Sequence, residues 1–134
     1  MQRIIFICTH NSARSQMAEG LMRHHFGDRF EVASAGTEQT RVHPGALSAM
    51  TDIGIDISGH TSKTTAGYKG QDFDYIVTVC DSAADACPVF YASGERIHRS
   101  FVDPSATQGN EAAVLAAFCK TRDQIQAWLL ETFA

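Results

Sequence analysis

The chain has 134 residues, 44% hydrophobic and 19% charged, with a formal net charge of −4. That length suits one domain with its own core and is too short for two, and no apolar run approaches the roughly 18 residues that span a bilayer. The negative balance, with no basic stripe interleaved with aromatic residues, excludes a nucleic-acid surface built on charge. Met1-Gln2-Arg3 followed by four apolar residues is too short for a secretory signal, so a cytoplasmic protein is expected.

Taken in chain order, residues 3–7 read as a buried strand. Residues 16–26 read as a helix with Ala18, Leu21, Met22, His25 and Phe26 on one face and Gly27 as its stop. A second strand is expected over 30–34 and a short helix over 46–53, after Pro44. Residues 58–71 are loop-like. Residues 73–79 form a β-branched strand ending at Cys80, residues 81–87 suit a short helix, and 96–101 is a weaker strand just before Asp103-Pro104. Asn110 can cap a long final helix over 111–133, whose Val114, Leu115, Phe118, Ile125, Leu129 and Phe133 make a 3.6-residue stripe, with Trp128 in the core. Strands alternating with helical crossovers predict a single α/β domain over residues 1–134, a parallel sheet covered on both faces. Ligands of such sheets sit outside the carboxyl ends of the strands. Cys8, Cys80 and Asp103 each fall at or just past such an end.

The densest chemistry lies in Cys8-Thr9-His10-Asn11-Ser12-Ala13-Arg14-Ser15, between the first strand and the first helix. Five residues separating a thiol from a guanidinium can wrap one tetrahedral oxyanion with inward N–H groups, and Arg14 can close the ring. Such a ring favours the thiolate of Cys8, a nucleophile beside an anion cradle. Ser15 can hydrogen-bond that sulfur, and Asn11 is the loop residue suited to a left-handed conformation. Thr9, His10, Asn11, Ser12, Ala13, Arg14 and Ser15 are therefore the expected substrate-binding residues. The other cysteines, Cys80, Cys87 and Cys119, form no C-x2-C pair and the six histidines show no ligand spacing, so no metal site is expected. Cys119 reads as buried.

The stretch from Cys8 to Gly20 resembles the anion loop and first helix of the low-molecular-weight phosphotyrosine phosphatase superfamily. Within it the chain is similar to the thioredoxin-coupled arsenate reductases, through Ser34-Ala35-Gly36-Thr37, Gly54 to Ser62, Val77-Thr78-Val79-Cys80, Cys87-Pro88, Asp103-Pro104 and Thr121-Arg122-Asp123. The resemblance implies a four-stranded parallel sheet flanked by helices on both faces. It implies Cys8 as nucleophile, Arg14 as anion clamp, Asp103 as general acid, and Cys80 and Cys87 as successive thiols of a disulfide relay. The substrate would be arsenate and the reductant thioredoxin, with glutaredoxin serving other relatives; no cofactor is implied, and a monomer is expected.

Some relatives bind potassium behind the loop through an Asn, a Glu, a Ser and an Asp. Asn11, Glu19 and Ser34 match three of these, but Lys63 stands at the fourth, where its ammonium can replace the metal electrostatically, so weak or no potassium dependence is expected. If residues 81–87 are helical, Cys80 and Cys87 lie about 10 Å apart along the axis. A disulfide needs Cα atoms within about 7 Å, so oxidation would partly unwind that segment. Two alternatives remain at this stage. A phosphatase would use Cys8, Arg14 and Asp103 and leave Cys80 and Cys87 without a role. A non-catalytic oxyanion-binding module would not need Asp103.

Overall fold

The computed structural model describes residues 1–80 and 92–134; the expected helix over 81–87, and Cys87 with it, lie outside the described residues. Four strands, β1 (Gln2–Cys8), β2 (Phe30–Gly36), β3 (Asp72–Thr78) and β4 (Ser93–His98), form one sheet in the order β2-β1-β3-β4. Every pair is parallel. From β1 the chain moves first to one side and later to the other, so the β1/β3 boundary is the point where a crevice opens at the carboxyl ends.

Alternation along β1 divides the core. Ile4, Phe6 and Cys8 join the larger cluster, with side chains from helices α1 (Arg14–Phe26), α2 (Pro44–Thr51) and α3 (Glu111–Phe133). Ile5 and Ile7 face the other way, with Ala35, Phe73 and Ile76, and Tyr68 from the 3-10 turn Thr65–Tyr68 packs against them. An irregularity between Asp72 and Tyr75 puts Phe73 on the same side as Ile76, although the two are an odd number of positions apart.

Helix starts follow the expected chemistry with one surprise. Asn110 caps α3 by accepting from the Ala113 N–H at 2.9 Å. Pro44 occupies the first turn of α2, and His43 is its cap, Nδ1 accepting from the Gly45 N–H at 2.9 Å while the ring stacks on Phe118 at 4.7 Å. The stripe of α3 is buried at Phe118, Ile125, Leu129 and Phe133, but Leu115 is 40% exposed because the first turns of α3 run past the edge of the core. Trp128 is half-buried, edge-on to Phe101 and Phe133. Cys119 is half-buried too. β4 lies three residues upstream of its expected place, and Phe101 turns into the core beneath the Arg99 guanidinium instead of extending the strand. Among the described residues no helix is long and apolar enough to cross a membrane.

Candidate active site

The loop from Cys8 to Arg14 is built by where its carbonyls go. Thr9 O accepts from Glu38 N (3.2 Å) and Thr37 Oγ1 (3.0 Å). His10 O accepts from Thr40 Oγ1 (2.9 Å) and Ser62 Oγ (3.2 Å), Asn11 O from Gln16 Nε2 (3.1 Å), and Ser12 O from His43 N (2.9 Å). Each peptide whose C=O is tied outward turns its N–H inward, because the two groups point in opposite directions across a trans peptide. Asn11 makes the bend with φ 47°, the one non-glycine positive φ among the described residues. No side chain caps α1, which starts at Arg14, so its first-turn N–H groups add to the same anion-seeking end.

Behind the loop, buried polar side chains hold Cys8 and its neighbours. Asn11 Oδ1 accepts from Lys63 N at 2.7 Å, which fixes the amide orientation and leaves Nδ2 to donate to Ser15 Oγ and Ser34 Oγ, both at 2.9 Å. Ser15 Oγ lies 2.8 Å from Cys8 Sγ. Since Ser15 already accepts from Asn11, its own proton is available to a Cys8 thiolate. Ser34 in turn donates to Glu19 Oε1. No buried side-chain nitrogen or oxygen among the described residues lacks a partner, so this nest is fully connected.

Glu19 is 4% exposed and faces two side-chain cations, Arg23 Nη2 at 2.9 Å and Lys63 Nζ at 3.8 Å. With two side-chain cations on its carboxylate and Asn11 Oδ1 committed to Lys63 N and Gln16 Nε2, the set does not fit an added potassium ion. His60 sits beside it, Nδ1 3.1 Å from Gln16 Oε1 and Nε2 3.0 Å from Arg23 Nη1. Arg23 can only donate, so Nε2 accepts and the ring is neutral with its proton on Nδ1. Burial is the main cause holding its pKa below the ordinary 6.5, with Glu19 opposing and Arg23 and Lys63 assisting. The unfolded chain therefore takes up a proton that the folded one resists, and stability contributed above pH 6.5 is lost as pH falls below it. Melting temperature should fall between about pH 7.5 and about pH 5.5, and His60→Asn, which keeps a donor toward Gln16, should flatten that fall. An unchanged slope in the variant would remove His60 as its source.

At the front, Arg14 is 2% exposed and spans loop and rim, Nη1 donating to Phe101 O at 3.1 Å and Nη2 lying 3.6 Å from Asp103 Oδ2. Cys8, His10, Ser12, Ala13, Arg14, Asp103 and Ser105 enclose about 20 Å3 of accessible volume, little more than one water needs. A compact tetrahedral anion suits it better than a buried aryl group. His10 stands at the mouth, with Nδ1 3.1 Å from Glu38 Oε2.

Cys80 is fully buried in the same cluster as Cys8, its Sγ 3.7 Å from Ile7 O. Ile7 pairs with Thr78 and accepts from Val79 N at 2.9 Å, so Cys80 is one residue past the level of Cys8 on the adjoining strand. Adjacent strands about 4.8 Å apart with a rise of about 3.3 Å put those Cα atoms about 6 Å apart, within disulfide range. Cys8, Thr9 to Ser15, Arg14, Cys80 and Asp103 are thus gathered at one end of the sheet, and Cys87 lies outside the described residues. Among the described residues no group of three or more His, Cys, Asp or Glu could hold a metal.

Sequence reasoning missed the supports: Gln16, Glu38, Thr40, His43, Ser62 and the main chain at Lys63. It also missed what Gly36 does. The register sets Gly36 opposite Cys8, and a Cβ there would stand 2.6 Å from Thr9 O and 2.8 Å from both Asn11 N and Cys8 O. A glycine ending a strand beside a loop was the available signal. Gly36→Ala should fold yet bind phosphate about tenfold more weakly, since overpacking here displaces the cradle. Titration calorimetry giving wild-type affinity would contradict that.

Residues 3–129 match the low molecular weight phosphotyrosine protein phosphatase family. An arsenate reductase of Halalkalibacterium halodurans is 45% identical over 131 residues, covering 98% of this chain and 94% of that protein. One from Bacillus subtilis is 43% identical over 122 residues, covering 91% and 88%. A solved arsenate reductase in its oxidized state superposes with TM-score 0.79 at 31% identity, covering 98% of this chain and 95% of that one, and a structure in the reduced state gives 0.78 at the same identity and coverage. With its Cys8 to Arg14 loop between β1 and α1 and its four parallel strands, the chain belongs to the low molecular weight phosphotyrosine protein phosphatase family.

Proposed function

We propose that the protein is an arsenate reductase working through a thiol relay. The observation that carries the reading is a second buried thiol, Cys80, on the strand next to the one that ends in Cys8. Phosphate-ester hydrolysis has no use for it, whereas a two-electron reduction requires it. The likeness to proteins solved in both oxidized and reduced states points the same way.

In the proposed cycle the Cys8 thiolate attacks arsenate held by loop N–H groups and Arg14. The S–As bond forms, an As–O bond breaks, and Asp103 protonates the departing oxygen. Cys80 then attacks Cys8 Sγ. The S–S bond forms as the S–As bond breaks, and the electron pair stays on arsenic, which leaves as arsenite. Cys87 attacks Cys80 and frees Cys8, and a dithiol protein of the thioredoxin type reduces the Cys80–Cys87 disulfide.

Arsenate-dependent oxidation of NADPH through thioredoxin reductase and thioredoxin, run beside hydrolysis of an aryl phosphate, tests this. Steady arsenate-dependent oxidation is expected. Aryl phosphate hydrolysis without it would make the protein a phosphatase, and neither activity would leave an oxyanion-binding module.

A further inference from the structure

We infer that Ser105 is a positioning residue for the proton that Asp103 donates: it occupies one carboxylate oxygen and reserves the other, on the Arg14 side, for transfer. The inference rests on the reading of Asp103 as general acid.

Asp103 caps the short 3-10 turn Pro104–Ala106. Its Oδ1 accepts two hydrogen bonds from the same residue, Ser105 N at 3.0 Å and Ser105 Oγ at 2.7 Å. A backbone N–H is a donor at every pH, so Oδ1 is an acceptor whether or not the carboxyl carries a proton. That leaves Oδ2, the oxygen 3.6 Å from Arg14 Nη2. Both Asp103 and Ser105 line the pocket that holds Cys8.

An arriving oxyanion competes for the Arg14 guanidinium and brings negative charge against Oδ2. A proton on Oδ2 removes the repulsion between the carboxylate and that oxyanion. The same proton then faces the oxygen that leaves. As the As–O bond breaks, the proton passes from Oδ2 to that oxygen and the charge appears on the carboxylate, where the two Ser105 donors already point at Oδ1. Donors aimed at charge that grows during the reaction speed the step without tightening the ground state. Pro104 fixes the turn that aims them.

A plain capping role would also use these hydrogen bonds, and a double-mutant cycle separates the two. Ser105→Ala keeps the backbone donor and loses the hydroxyl, and should lower kcat/KM for arsenate roughly five- to tenfold. Phosphate affinity, read from protection of Cys8 against iodoacetamide, should be unchanged, and Ser105→Thr should restore the rate. In an Asp103→Asn background, Ser105→Ala should cost nothing further, because it acts only through the carboxyl. An equal loss with and without that carboxyl, an undiminished rate in Ser105→Ala, or a matching loss of phosphate affinity would each overturn the inference. An Asp103→Asn enzyme as fast as wild type would instead remove the general-acid reading on which it rests.

Discussion

Replacing Cys8 by serine is expected to abolish arsenate reduction and any aryl phosphate hydrolysis while leaving phosphate binding intact. The loop N–H groups are turned inward by carbonyl contacts that do not involve the sulfur, and Arg14 is held by Phe101 O. A serine hydroxyl can take the place of Sγ beside Ser15 without a cavity. What disappears is the nucleophile, because an alcohol with no adjacent base is far weaker than a thiolate. Calorimetric titration with phosphate beside both activity assays would read the split. Turnover of either substrate by the variant would place the chemistry elsewhere.

The next largest effect concerns the relay and separates its two later thiols. Cys80→Ser should yield no arsenite, since nothing remains to take the Cys8 sulfur from arsenic. Cys87→Ser should yield one arsenite per chain and stop as a Cys8–Cys80 disulfide. Both variants should keep whatever aryl phosphate hydrolysis the wild type shows, because Cys8, Arg14 and Asp103 are untouched. Quenched-flow counting of arsenite per chain, with mass spectrometry of the trapped disulfide, distinguishes them. Repeated turnover by Cys87→Ser with thioredoxin as sole reductant would dismantle the proposed order.

Much of this was readable from residues in a row. β1, α1 and the loop between them announce themselves through the apolar run at Ile4 to Ile7 and the Cys8 to Arg14 spacing, and the left-handed Asn11 and the Ser15 contact follow from side-chain chemistry alone. β4 was harder. Its residues Ser93 to His98 sit at the sheet edge and are largely exposed, so no apolar alternation marks them, and aromatic Phe101 drew the expected strand downstream. Leu115 obeys the helical period but lies where α3 has outrun its neighbours. The cradle's supports are ordinary polar residues whose meaning depends on distant partners. Nothing about Ser62 or Thr40 advertises that both hold the carbonyl of His10.

That last arrangement bears on how the site comes into being. The segment that carries the proposed nucleophile is among the first synthesised, yet one of its carbonyls is held by Ser62, its Asn11 side chain by the Lys63 N–H and its guanidinium by Phe101. A peptide reproducing only the first strand, loop and helix should have no measurable affinity for phosphate. On the proposed cycle, Cys8 can attack a bound oxyanion only after most of the polypeptide has left the ribosome.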